Sequence, residues 1–344
     1  METILYEAEQ IPVAAKVIKD GGLVAFPTET VYGLGANALL PEAVKEVYAA
    51  KGRPSDNPLI VHVAGFEQVK EYVDNFHPLT EKIVAKYWPG PLTLIFSIKK
   101  GSLPEVVTGG LSTAAFRMPD QELTLRLIKT AGVPLVGPSA NTSGKPSPTS
   151  AEHVYHDLAG KIAGILDGGA TKIGVESTVL DLSDPSQPPM ILRPGAVTQE
   201  DLASFLESPV LVDGHLVSAS ETPKAPGMKY KHYAPDTEVL MVREKDWPAA
   251  LEWVQKQHKK AGVIAGPEIA EKMRYQTAAV FMLPEDTVAA GARSLFAGLR
   301  ALDNPQLALE VILVETFDNQ GLGVAYMNRL SKASGGRFFE AGMK

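Results

Sequence analysis

The chain contains no cysteine. That excludes disulfides, thiolate nucleophiles and cysteine-ligated zinc, and it fits a reducing compartment. No apolar run approaches the ~20 residues a membrane-spanning helix needs. The start, Met1-Glu-Thr-Ile-Leu-Tyr-Glu, is acidic and lacks the basic-then-apolar order of a signal peptide. These absences lead to the expectation of a cytoplasmic protein without membrane contact. Positive charge is also scarce: 33 Lys and Arg face 40 Asp and Glu, a formal net charge of −7. A general nucleic-acid binder would be basic. No GxxxxGK[ST], GxSxG or HExxH sequence occurs, so a Walker-type ATP site, a serine-hydrolase elbow and a zinc-protease helix are set aside.

What is present is ordinary globular composition, 45% hydrophobic and 21% charged. A length of 344 residues exceeds what one core usually holds, so two domains are expected. Over residues 1–207, strand patterns at 23–27, 59–63, 92–98, 114–117, 133–136, 177–182 and 190–192 mix with helical ones at 41–50, 66–74, 79–87, 122–130 and 198–206. Some strands follow one another with no helix between, which predicts a mixed, twisted α/β sheet. Residues 208–236 lose periodicity and carry Pro223, Pro226, Gly227 and Pro235 beside Lys224, Lys229, Lys231 and His232. They read as a connector whose Met228, Tyr230 and Tyr233 suit docking on a surface. Over 237–344, strands at 239–242, 263–265, 278–282 and 311–314 alternate with helical stretches, predicting a smaller, doubly wound parallel sheet.

Three stretches concentrate polar groups. Val133-Pro-Leu-Val-Gly-Pro-Ser-Ala-Asn-Thr-Ser-Gly is an apolar strand entering a loop with Ser139 and Asn141. Ligands of α/β proteins collect at such strand ends. Lys51-Gly-Arg53 follows a helical pattern, and a helix stop by Gly52 with a dipole-favoured lysine accounts for Lys51 alone. Arg53 adds a planar fork suited to phosphate oxygens. Together with Asn57 and His62, the two stretches point to a nucleotide pocket. The third, Pro27-Thr-Glu-Thr-Val-Tyr-Gly-Leu-Gly35, holds Thr28, Glu29, Thr30 and Tyr32 next to glycines that permit close backbone approach. Arg117 and Arg193 each end an apolar strand, where a charge must find a partner. A structural ion pair and a carboxylate-bearing ligand would both satisfy them, with Ser177 near at hand. His153 and His156 lack a carboxylate cluster and read as a solvated helix face.

Taken in order, Pro-Thr-Glu-Thr-Val-Tyr-Gly-Leu-Gly, Lys51-x-Arg53, Ser139-x-Asn141, Arg193-Pro-Gly and the connector Pro226-Gly-Met-Lys-Tyr-Lys-His-Tyr-Ala-Pro235 resemble the threonylcarbamoyl-AMP synthase family in its longer form, over almost the whole chain. The resemblance implies a twisted α/β catalytic domain with a concave nucleotide-binding surface, then a Rossmann-like domain. It implies an enzyme that joins L-threonine, bicarbonate and ATP and releases pyrophosphate. The product would go to a transferase that modifies an adenosine beside the anticodon of certain tRNAs. By the same resemblance, Arg53, Asn57, Thr113, Ser139, Asn141, Ser147, Arg193 and Tyr233 line the ATP site. Thr30, Tyr32, His62, Arg117 and Ser177 surround threonine, with Gly137 adding backbone contacts. Lys51 and Arg53 are the expected catalytic pair, with Mg²⁺ carried by ATP rather than by protein side chains. The connector around 230–233 is expected to cover the pocket. A nucleic-acid-binding module, a carbamoyl-phosphate-using carbamoyltransferase and a scaffold for the tRNA-modifying partner are the rival readings; the acidic charge and absent cysteine weigh against the first two, while a weak RNA contact stays open.

Overall fold

The computed structural model describes residues 2–55, 57–213, 223 and 232–343. Most of the connector expected to cover the pocket, including Met228, Tyr230 and Lys231, lies outside the described residues. The chain divides into two compact units. The first comprises residues 1–143, 148–172 and 176–230; the second takes residues 144–147, 173–175 and 231–344.

The first unit is built on an eleven-stranded sheet. In spatial order its strands are Ile4–Tyr6, Gly164–Leu166, Val24–Phe26, Gly33–Asn37, Leu135–Val136, Ile60–His62, Thr113–Arg117, Leu92–Ser97, Thr178–Asp181, Met190–Arg193 and Leu211–Val212. Parallel and antiparallel neighbours mix along it: Ile60–His62 runs parallel to Thr113–Arg117, while Leu92–Ser97 is antiparallel to the latter. This is the mixed α/β sheet that the element order predicts.

Strand alternation sends successive side chains to opposite faces. Val61, Leu94, Phe116 and Leu180 go to the main core, where Val44, Val47, Ile83, Val154 and Leu202 from the covering helices meet them. Ile60, Ile95, Ala115, Val179 and Leu192 form a separate small cluster. Around the amino-terminal helix Ile11–Lys19, the buried Ile11, Ala14, Ala15 and Ile18 follow helical spacing and pack with Phe26 and Leu127.

Gly33–Asn37 is a strand that the sequence pattern does not announce, because glycine is poor in strands. Packing requires it: a Cβ on Gly33 would lie 2.7 Å from Phe26 Cζ, and one on Gly35 2.7 Å from the Val24 carbonyl oxygen. Gly33 pairs with Phe26, so the ring occupies the volume that the missing side chains leave open.

The second unit has four parallel strands in the order Glu238–Val242, Val311–Glu315, Ala261–Ala265 and Ala279–Met282. Trp247, Ala250, Trp253 and Val254 of one helix cover one apolar cluster. On the helix Val288–Leu302, Gly298 allows approach to Ile264 and Phe281, where a Cβ would sit 3.0 Å from each. Within this unit, Arg300 Nη2 donates to the Pro146 carbonyl at 2.6 Å, and Lys145 pairs with Asp236 at 2.5 Å.

Candidate active site

The register of the central strands sets the site. His62 pairs with Arg117 across the parallel strands Ile60–His62 and Thr113–Arg117. Both stand on the same face as Ile60 and Ala115, two residues back along their strands. That face keeps slight exposure, 6% at Ile60 and 8% at Leu192, where Val61 and Phe116 on the opposite face have none. Apolar residues thus form a floor whose end is marked by an imidazole and a guanidinium. Thr113 opens the strand that Arg117 closes, opposite Ser97.

Arg117 is 4% exposed and firmly held. Its Nη1 donates to Thr30 Oγ1 at 2.9 Å and its Nε to the Gly90 carbonyl at 3.3 Å. Nη2 lies 2.7 Å from Glu29 Oε2. Thr30 belongs to a turn built by Thr28, whose Oγ1 accepts from the amides of Thr30 and Val31 and donates to the Val31 carbonyl at 2.6 Å. Thr28 has one hydroxyl hydrogen, and the Val31 carbonyl takes it. The 2.8 Å contact between the two threonine hydroxyls sets Thr30 Oγ1 beside Thr28 Oγ1. Thr30 Oγ1 accepts from the guanidinium.

His62 is 2% exposed, and burial together with the neighbouring Arg117 charge lowers its pKa to about 3. It is a neutral imidazole at working pH. Its ring packs edge-on against Phe26 at 5.2 Å. A Cβ on Gly137 would sit 2.6 Å from His62 Nδ1 and 2.7 Å from Phe26 Cζ, so the close approach needs glycine there. Tyr32 is fully buried, and its hydroxyl serves another part of the unit: it donates to the Gly169 carbonyl at 2.8 Å and accepts from the Gly168 amide at 3.1 Å. Burial raises its pKa well above the ordinary value.

Lys51 ends the helix Pro41–Lys51, which Gly52 stops in the left-handed conformation, φ 62°. Its ammonium, 2% exposed, donates to the Ser139 carbonyl at 2.5 Å and the Asn141 carbonyl at 2.6 Å. The Ser143 amide returns a bond to the Lys51 carbonyl at 2.8 Å. Residues 51 and 139–141 therefore meet. The strand Gly33–Asn37 joins the same place through the Gly33–Ser139 bridge. Arg53 Nη2 donates to the carbonyls of Asn57 and Pro58 at 3.3 and 3.2 Å, folding the guanidinium over its own loop. Asn57 is 1% exposed, and its Oδ1 accepts no hydrogen bond among the described residues.

Arg193, 6% exposed, donates from Nε and Nη2 to the Ser177 carbonyl at 3.1 and 3.0 Å, and from Nη2 to Ser177 Oγ at 3.1 Å. Ser177 Oγ also meets Thr93 Oγ1 at 2.8 Å. Leu92–Ser97 and Thr178–Asp181 are parallel, so Ser177 enters beside Pro91, near the Gly90 carbonyl that holds Arg117. Ser147 and Tyr233 fall in the second unit, where the Tyr233 ring packs 5.1 Å from Phe296.

Thr93 and the Gly90 carbonyl are parts of this arrangement that the sequence reading does not single out, and Glu29, named there within its polar run, is given no partner. A threonine inside the apolar run Leu92-Thr-Leu-Ile-Phe was the available signal for Thr93. Among the described residues no group of three or more His, Asp or Glu side chains comes together that could hold a metal ion. No helix among them is long and apolar enough to cross a membrane.

The sequence matches two family profiles. One, for Sua5, YciO and YrdC and described as "Telomere recombination", covers residues 16–195; the other, "Threonylcarbamoyl-AMP synthase, C-terminal domain", covers 197–335. Threonylcarbamoyl-AMP synthase of Pyrococcus abyssi is 47% identical over 340 residues, 97% of this chain and 96% of its own length. The threonylcarbamoyl-AMP synthase of Cellvibrio japonicus is 30% identical over 173 residues, 50% of this chain and 91% of its own. The crystal structure of Pyrococcus abyssi Sua5 complexed with L-threonine is similar with a TM-score of 0.89 at 46% identity, covering 98% of this chain and 99% of that one.

Proposed function

Because the chain belongs to the Sua5, YciO and YrdC family, in its two-domain threonylcarbamoyl-AMP synthase form, we propose that it makes L-threonylcarbamoyl-AMP from L-threonine, bicarbonate and ATP, releasing pyrophosphate. The observation that carries the reading is the convergence of Arg117, Thr30 and His62 at one end of an apolar floor, on the sheet whose other strands bring Ser139 and Asn141 to Lys51.

Arg117 takes the carboxylate of threonine, and Thr30 and Ser177 lie where hydroxyls can read its side chain. His62, kept neutral, and Gly137 shape the wall beside it. The ammonium group first gives up one proton; the free amine then adds to the carbon of bicarbonate with loss of water, giving a carbamate. A carbamate oxygen then attacks the α-phosphorus of ATP; the bond to the β-phosphate oxygen breaks, and pyrophosphate leaves with the electron pair. No activated side-chain nucleophile is required, because the carbamate is one.

The harder task is bringing two anions together. Lys51 and Arg53 supply positive charge against the phosphates, and Lys51 also fixes the loop that presents Ser139 and Asn141. Asn57, with its unspent Oδ1, Thr113 and Arg193 complete the nucleotide side. Ser147 and Tyr233 join it on sequence resemblance alone. Mg²⁺ would come with the triphosphate and add positive charge against it. The product passes, in the cytoplasm, to the transferase that modifies tRNA.

Pyrophosphate release should need ATP, threonine and bicarbonate together. A chain that releases it equally well with threonine omitted does not have this activity.

A further inference from the structure

The Glu29 carboxylate is what packing alone leaves unexplained. It is 4% exposed, yet among the described residues neither oxygen accepts a hydrogen bond. Its 2.7 Å contact with Arg117 Nη2 lacks hydrogen-bond alignment, and that nitrogen also finds no hydrogen-bond acceptor among the described residues. A buried carboxylate with empty lone pairs is costly to keep. Buried polar groups left open in this way call for a partner that completes them. The rest of the guanidinium is already committed, Nη1 to Thr30 and Nε to Gly90. What stays incomplete is the Nη2 end and the carboxylate beside it.

We propose that Glu29 and Arg117 read the zwitterionic head of an α-amino acid as a unit, Glu29 taking the ammonium group and Arg117 the carboxylate. The inference rests on the threonine-binding reading above and deepens it. An α-amino acid carries both charges on one carbon. A protein that answers both must set an anion directly beside a cation, as these two side chains are set. The neighbouring imidazole of His62 is uncharged and adds no repulsion toward an ammonium. Thr30 Oγ1 lies at the same place, on Arg117 Nη1. Selection would then fall on the amine itself, the atom that must react. A hydroxy acid of the same shape brings no ammonium to the open oxygens of Glu29, whose only charge partner then stays Arg117 among the described residues.

The test is titration of the full chain with L-threonine and with the matching 2,3-dihydroxybutanoate, in which a hydroxyl replaces the ammonium group. Wild-type protein should prefer threonine by about 100-fold, and Glu29→Gln should bring the preference below about tenfold by weakening threonine. ATP affinity, measured alongside, reports that the variant has folded. A folded variant that keeps the wild-type preference overturns the inference and leaves Glu29 as a brace for Arg117. Wild-type protein that binds the two ligands alike overturns it with no variant at all. Threonine-dependent pyrophosphate release by the wild type tests the functional reading separately.

Discussion

Burying His62 as a neutral ring ties stability to pH. Its pKa is about 3 in the folded chain against 6.5 as the ordinary value. Between those limits the unfolded chain binds a proton that the folded one refuses. Stability is therefore intact above pH 6.5 and falls as the solution acidifies, by up to about 1.4 kcal/mol per pH unit. Urea unfolding of the first unit should show this directly: from pH 7 to pH 5, wild type should lose about 2 kcal/mol more than His62→Asn. An equal loss in both would mean that His62 titrates normally. Lys51 makes a different point at the same scale. Its ammonium is satisfied by two loop carbonyls, so its removal leaves buried acceptors unpaired as well as removing charge. Lys51→Ala should lower the rate of pyrophosphate release by roughly 10²–10³-fold. A variant that matches wild-type turnover would remove Lys51 from the machinery. These residues are legible in sequence because Lys51-x-Arg53 and Ser139-x-Asn141 are too polar for the turns they occupy. Glu29 is legible only as one member of a polar run, because its pairing with Arg117 joins segments far apart in the chain.

Among elements, legibility follows side-chain volume. Leu92–Ser97 and Val311–Glu315 are apolar runs bounded by breakers, and they are strands in the structure. Gly33–Asn37 is hidden because its packing partner, Phe26, supplies the bulk that its own residues lack. Leu135–Val136 is only two residues long, shorter than the pattern around it, since Gly137 and Pro138 turn the chain toward Lys51. The same logic governs the turn after Met190–Arg193. A Cβ on Gly195 would lie 2.2 Å from the Thr178 amide nitrogen and 2.6 Å from the Ser177 carbonyl carbon. The Ser177–Thr178 peptide cannot yield as a flexible side-chain tip would, so Gly195→Ala should push the turn away from Ser177 and carry Arg193 with it. We expect a stability loss of about 1–3 kcal/mol, as for overpacked cores. The KM for ATP should rise more than that for threonine. A variant with wild-type stability and both KM values unchanged would show that the turn moves freely, against the argument from packing.

Over the whole molecule, charge and connectivity decide. A net charge of −7 is opposite in sign to that of a general nucleic-acid binder, and the chemistry proposed uses no tRNA contact. The residues assigned to threonine, from Glu29 to Ser177, belong to the first unit, which has its own apolar core. A relative that spans only about half of this chain carries the same enzyme name. The second unit, however, includes Gly144–Ser147, the segment that directly follows the Ser139–Asn141 loop in the chain, and holds it through Arg300 and Asp236. A chain ended at Asp213 loses those partners together with Tyr233. It should unfold cooperatively and bind threonine within about threefold of the full chain, because none of that pocket is removed. Its pyrophosphate release should fall by at least about tenfold if Tyr233 serves ATP as the sequence resemblance implies. If the shortened chain folds, binds threonine and turns over at the full rate, the second unit has no part in ATP chemistry. If threonine binding itself disappears from a folded fragment, the pocket assigned to the first unit is the part that is wrong.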